Sequence, residues 1–267
     1  MSAIFRVSYQ VMYPDPLGRI IATADYGTNG GTPLTRQNTI PDRSLDIRVP
    51  TTEYNDAGQA FRTTDPGGRV DEKTFDAAGR LTKTVENVVV NGTDDDENRT
   101  TDFTYNLEGK MTTLAARNQV TGNQVTEWIY GVDFSTTGGI ARNDLLQAKV
   151  YPDGAVPPSA DCVTYEYNRL GELTQQADQA GTVHAFRFDK LGRLLHDCVS
   201  LPENSHIDNA VLRISRTYNE RGLLASVTSW DNATVGNGSI LNQVTREYNV
   251  FGQLKTEKQA HGGAVQT

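Results

Sequence analysis

The stretch TYNERGLLASV, residues 217–227, holds the reading of the whole chain. An aromatic is followed by Asn, by Gly three residues after the Asn, and by an apolar residue two further on. Asn219 can open a type I turn, its side chain bonding the backbone N–H groups just ahead. The last loop position must then take a positive φ, which Gly222 adopts without steric cost. Type I plus a Gly bulge is a favoured three-residue hairpin loop. Counting outward pairs Asn219 with Leu223 and Tyr218 with Leu224. Ring and aliphatic side chain then face each other as a stabilising cross-strand pair.

The same stitch recurs as YNDAGQA (54–60), FDAAGRL (75–81), YNLEGKM (105–111), YNRLGEL (167–173), FDKLGRL (188–194), YNERGLL (218–224) and YNVFGQL (248–254). Average residue usage gives such a string a chance on the order of 10⁻⁴ per position, so seven copies are not accidental. The turn and pairing residues are Tyr54, Asn55 and Gly58; Phe75, Asp76, Gly79 and Leu81; and Tyr105, Asn106 and Gly109. They continue as Tyr167, Asn168, Gly171 and Leu173; Phe188, Asp189, Gly192 and Leu194; Tyr218, Asn219, Gly222 and Leu224; and Tyr248, Asn249, Gly252 and Leu254. Residues 135–141, STTGGIA, read as a degenerate copy, because a shift of 113 residues maps the stitches onto one another. Alternation sends the residue before the apolar slot (Gln59, Arg80, Lys110, Glu172, Arg193, Gln253) to the opposite face.

Shorter variants keep only the Asp and the Gly: DPLGRI (15–20), DPGGRV (65–70) and DQAGTV (178–183). Two strands between stitches place all the aromatic turns along one edge. The other edge carries connections of uneven length, among them 86–98, 201–210 and 230–241. Near the start, Phe5, Val7, Tyr9, Val11 and Tyr13 alternate onto one face. No segment holds a helical period over ten residues. The sequence predicts an all-β repeat protein: a long antiparallel meander of β-hairpins, about 16 to 20 strands, read as one domain over 1–267. Open sheets rarely exceed about ten strands without curling, so the meander is expected to curl into a shell or spiral sheet. With both ends falling in mid-pattern, the chain reads as a fragment of a longer wall.

Composition narrows the function. A net charge of −8 argues against nucleic acid as a partner, since that affinity rests on Lys and Arg neutralising phosphates. No apolar run approaches a membrane span, and no signal peptide is visible. Cys162 and Cys198 form no framework; a meander separates them by two strands, about 14 Å, which predicts two reduced thiols.

These motifs resemble the Tyr-Asp (YD) repeats of the Rhs-repeat family, which includes bacterial polymorphic toxins, shell components of insecticidal toxin complexes, and teneurins. The resemblance runs over about residues 5–265. It implies a spiralling β-sheet shell, a structural wall segment that encapsulates or presents a toxic polypeptide cargo, in a secreted or cell-surface setting. Further YD repeats, or another copy joined through the sheet edges, are the implied partners. The alternative is an extracellular module that binds a glycan or a cell-surface protein through the long variable loops.

No catalytic, metal or cofactor site is read from the residues. The acidic run DDDEN (94–98) lacks the spaced ligands and central Gly of a calcium loop, and loop solvation explains it. Asp76 and Asp189 are accounted for as turn formers. A carbohydrate hydrolase, the rival enzyme reading, needs two carboxylates facing across a cleft, and no such pair stands out. Four Asn-x-Thr/Ser sites (Asn91, Asn98, Asn232, Asn237) say little in so Asn- and Thr-rich a chain.

Overall fold

In a computed structural model, the structure describes residues 7–118, 120–133, 140–152, 161–203, 206–261 and 264–265. It is all-β, with one short 3-10 turn at Asn29–Gly31 among the described residues. The chain divides into two compact units, Met1–Val125 and Thr126–Thr267.

The first unit holds β1 (Tyr9–Pro14), β2 (Ile20–Gly27), β3 (Thr51–Tyr54), β4 (Ala60–Thr64), β5 (Val70–Phe75), β6 (Leu81–Glu86), β7 (Arg99–Tyr105) and β8 (Met111–Ala116). Each pairs antiparallel with the next, so the sheet is a plain meander of hairpins. Its buried cluster is small: Val11, Tyr13, Ala22, Ala24, Tyr26 and Val49, with Leu34 and Ile47 packed on it. The 28–50 connection supplies the last three of these and covers the β1–β2 face. Alternation holds for Tyr9, Val11 and Tyr13, but Val7 precedes the strand and is 59% exposed. Phe5 lies outside the described residues.

The second unit runs through β9 (Gln124–Val132), β10 (Arg142–Val150), β11 (Cys162–Tyr167), β12 (Leu173–Ala177), β13 (Val183–Phe188), β14 (Leu194–Ser200), β15 (Arg213–Tyr218), β16 (Leu224–Trp230), β17 (Ile240–Tyr248), β18 (Leu254–His261) and β19 (Ala264–Val265). It too pairs strand to next strand, antiparallel throughout. Among the described residues no strand pairing closes the sheet of either unit on itself. Both cysteines are buried and joined by no disulfide, with β12 and β13 between their strands. The expected degenerate stitch at 135–141 falls largely outside the described residues.

Every stitch carries a feature that simple alternation misses. The register slips by one residue beside each aromatic, for example between Thr217 and Tyr218, and likewise at the other six stitches. Such a bulge bends the strand and re-aims the side chains that follow it.

Candidate functional site

Two places concentrate organised polar chemistry: the edge that carries the stitches, and a cleft on the second unit beside the 230–241 connection.

At the stitched edge, the turn is the one the residues require. Asn219 Oδ1 accepts from the N–H groups of Arg221 (3.0 Å) and Leu223 (2.9 Å), while Gly222 donates to the Asn219 carbonyl at 2.9 Å. Gly222 sits at φ 79°, and the glycines of the other six stitches fall between 77° and 82°. Tyr218 pairs with Leu224 and Tyr248 with Leu254, as do Phe75 with Leu81 and Phe188 with Leu194. Tyr54 pairs with Ala60, Tyr105 with Met111 and Tyr167 with Leu173. The pair is not a buried clamp at every stitch, since Leu254 is 53% exposed.

The rings do more than face their partners. Tyr218 Oη donates to the carbonyl of Leu194, the apolar residue of the preceding stitch, at 3.0 Å. Tyr105 reaches Leu81 (2.7 Å), Tyr248 reaches Leu224 (2.9 Å) and Tyr54 reaches Ile20 (3.1 Å) in the same way, and Tyr167 reaches Leu146 (2.9 Å) of the preceding hairpin, a residue that belongs to no stitch. Here the ladder between neighbouring hairpins has run out: β14 and β15 pair only at 196–198 with 213–215. The hydroxyl therefore satisfies a carbonyl the ladder leaves open, contributing about 1 kcal/mol each time.

The residue before the apolar slot does not turn away, contrary to the alternation argument. Continuing the β14–β15 register to the edge sets Arg193 opposite Tyr218, and its guanidinium lies 4.4 Å from the ring centroid. Arg80 lies 4.8 Å over Tyr105, and Arg19 4.5 Å over Tyr54. The same arginines bond back to their own turn: Arg193 Nε to Asp189 Oδ2 at 2.7 Å, Arg80 to Asp76 at 2.7 Å, Arg19 to Asp15 at 2.6 Å. At three of the five stitches that Asn opens, the slot holds an acceptor instead; the other two carry Lys110 and Leu223 there. Asn55 donates to Gln59, Asn168 to Glu172 and Asn249 to Gln253. The physical cause is the Gly bulge, which brings the slot side chain back over the turn, where a charge or amide partner fixes it.

These bonds set the titration of the turn aspartates. The Arg80 N–H, then its guanidinium, hold the Asp76 carboxyl below its ordinary value, against opposing desolvation. Asp189 is lowered in the same direction, first by the Arg193 N–H, with burial opposing and the Arg193 side chain adding to the lowering.

The sequence carried a signal for this that alternation overlooked. Asp opens the turn where Arg fills the slot, at 15–19, 65–69, 76–80 and 189–193, although the Arg69 side chain turns to Asp71 and Glu86; Asn opens it where Gln, Glu, Lys or Leu does. A second signal is the choice of ring. Phe75 and Phe188 follow far-edge connections of five residues (65–69 and 178–182). Each Tyr that reaches back to the preceding hairpin follows a far-edge connection of nine to twenty-three residues. A tight turn holds register by itself, whereas a long loop does not, and there a hydroxyl supplies the missing tie.

The cleft lies on one face of β14–β17 and has a volume of about 410 Å³. Cross-strand register sets His196, Ser215, Thr228 and Gln243 in one row across it, and Arg213 and Trp230 in the next. His196 Nδ1 and Ser215 Oγ are 3.0 Å apart, and Gln243 Nε2 donates to Thr228 Oγ1 at 2.9 Å. Arg213, only 2% exposed, roofs the cleft by donating to the carbonyls of Asn232 (2.8 Å), Thr234 and Asn237 (2.9 Å), with its guanidinium 4.6 Å over the Trp230 ring. Burial, then the charges of Arg213 and Arg187, push the His196 imidazole below its usual pKa, which keeps it neutral at pH 7. No Asp or Glu lines the cleft, so two facing carboxylates of the glycosidase kind are not part of it. Among the described residues no group of three or more His, Cys, Asp and Glu is placed to hold a metal ion.

Comparison with known proteins gives one family match: residues 54–87 match the RHS Repeat family. No curated protein matches the sequence. Among solved structures, the chain is similar to the TcdB2-TccC3-Cdc42 crystal structure at 13% identity and a TM-score of 0.37, over 94% of this chain and 16% of that one. It is similar to the Photorhabdus luminescens Tc holotoxin pore at 12% identity and a TM-score of 0.39, over 97% and 17%. A porin-like protein from Bacteroides uniformis gives 12% identity and a TM-score of 0.27, over 97% and 91%. The chain thus spans about one-sixth of the toxin-complex chains it matches, and scores at this level carry no argument about assembly. Residues 54–87, which match the RHS Repeat family, run from the first full stitch through the second, and the same stitch recurs along the sequence to residue 254.

Proposed function

We propose that this chain is a non-enzymatic wall segment of an Rhs/YD-repeat shell, which encloses or presents a polypeptide cargo outside the cell that makes it. The observation that carries the reading is the tie between neighbouring hairpins, in which one tyrosine hydroxyl and one carbonyl meet the same way five times. Repetition of a purely mechanical contact suits a surface whose work is exclusion. A reactive centre needs one place built unlike the others, and no residue of the stitches is asked to do chemistry. The open edge of β1, which pairs only with β2 among the described residues, supports continuation into further repeats or a second copy by strand addition.

The test is limited proteolysis of the natural gene product, followed by mass spectrometry. A segment beyond the repeats should survive trypsin in the native protein and be cut quickly after urea unfolding. Valine at both Gly79 and Gly192 should remove that protection. A gene product with nothing beyond the repeats, or a segment cut equally fast in both states, overturns the reading.

A further inference from the structure

The wall reading leaves the cleft on β14–β17 without a purpose. Arg213 is an unusual residue to bury, because an ion taken out of water costs several kcal/mol unless a counter-charge meets it. Its hydrogen bonds go to three backbone carbonyls and to Ser215 Oγ, and all of these acceptors are neutral. No carboxylate pairs with it among the described residues, and none lines the cleft, in a chain whose net charge is −8. Arg187, opposite His196 in the register but exposed and outside the lining of the cleft, adds its charge to that of Arg213 at His196. The indole Nε1–H of Trp230 is covered and has no acceptor. A buried donor left open in this way costs about 1–3 kcal/mol. The cleft therefore lacks two things: a negative charge and an acceptor. Its floor supplies what a hydroxylated molecule would meet: Ser215, Thr228 and Gln243 in one row, with Thr217 and Ser226 paired at 2.7 Å in the row beside it.

We propose that this cleft binds a small sugar acid, its carboxylate set against the Arg213 side of the cleft and its hydroxyls along the Ser–Thr–Gln row. The volume falls within the range of small-molecule sites, and the apolar rim of Val235 and Ile240 suits the C–H face of a sugar ring. The neutral imidazole of His196 serves as one more hydroxyl partner. This site is independent of the wall reading: a shell segment with the cleft, or a cleft on a chain that forms no shell, are both coherent outcomes.

The experiment is an equilibrium titration of the full 267-residue chain with D-galacturonate, D-galactose and inorganic phosphate, followed by saturation-transfer NMR and calorimetry. Galacturonate should bind with a millimolar or tighter Kd. Galactose should bind at least about tenfold more weakly for want of the charge-assisted contact, and phosphate likewise for want of the hydroxyl row. Trp230→Phe removes the open N–H while keeping a smaller aromatic ring in its place, and should weaken galacturonate about threefold to tenfold. A matching urea midpoint would show that this variant's fold is intact. Gln243→Ala, on the floor and away from the roof, is the second variant and should lower affinity in the same direction. No binding of galacturonate, equal binding of galactose, phosphate binding as tightly as galacturonate, or an unchanged Kd in both variants would each overturn the proposal.

Discussion

The two edges of the second unit are built on opposite plans. At the stitched edge, turns 168–171, 189–192, 219–222 and 249–252 share one loop length, one glycine φ and one pattern of backbone bonds. At the far edge, the connections differ in length and in what they do: residues 178–182 make a bare turn, whereas 231–239 fold back over the sheet and are held there by Arg213. The contrast teaches that register and individuality are kept apart. The stitched edge sets strand alignment, which frees the far edge to carry side chains with no counterpart in other repeats.

The sharpest way to break that contrast is Arg213→Ala. It deletes the side chain that holds three loop carbonyls, leaves those acceptors and a void behind, and should cost about 3 kcal/mol or more. Urea denaturation would measure the loss, and hydrogen exchange should localise the earliest opening to 231–239 while the stitched turns stay protected. Gly222→Val strikes the other edge. It forces a β-branched residue to positive φ and sets its Cβ 3.3 Å from Arg193 Nη1, so a loss of roughly 1–3 kcal/mol is expected in the same assay.

A subtler pair of substitutions tests the rule linking ring to loop. Tyr218→Phe removes the bond to the Leu194 carbonyl and should cost about 1 kcal/mol, with faster amide exchange at the β14–β15 edge. Phe188→Tyr adds a hydroxyl where the five-residue turn 178–182 already holds register. Its effect on the urea midpoint should be well below that of Tyr218→Phe. Equal and opposite effects would show that loop length is irrelevant to the choice of ring.

The smallest expected effect is in pH. Asp76 and Asp189 have folded-state pKa values below their ordinary ones. Each therefore binds its proton more readily when unfolded. Their contribution is fully present above the unfolded value, about 3.9, and is lost as pH falls through the depressed folded value. Urea midpoints measured between pH 6 and pH 2.5 should drop. Asp189→Asn, which places in this turn the residue that five of the seven stitches use, should flatten part of that drop.

How much of this the sequence disclosed follows from how local each cause is. The turn is decided within five residues, so Asn219 and Gly222 announce it. Strand order follows because each hairpin needs only its neighbour. The arginine laid over the next ring, and the hydroxyl tie beneath it, depend on two hairpins meeting about 24 residues apart in the chain, as Leu194 and Tyr218 do. Alternation cannot see that far; the pairing of Asp with Arg and Asn with Gln or Glu was the available clue. The cleft was hidden for a stronger reason. In VLRISR (211–216) nothing marks Arg213 as different from Arg216, because its burial comes from a loop that begins eighteen residues later.

The tyrosine hydroxyl has a consequence for how such a chain can change over time. Since β14 and β15 are latched at Leu194, and β16 and β17 at Leu224, the loops between them are relieved of any duty to align strands. Foreign peptide spliced into 201–212 meets a scaffold already locked from the other side, whereas 231–239 must keep the carbonyls that hold Arg213. The architecture is therefore a natural host for grafted segments, open to novelty along one margin because the opposite margin is conservative.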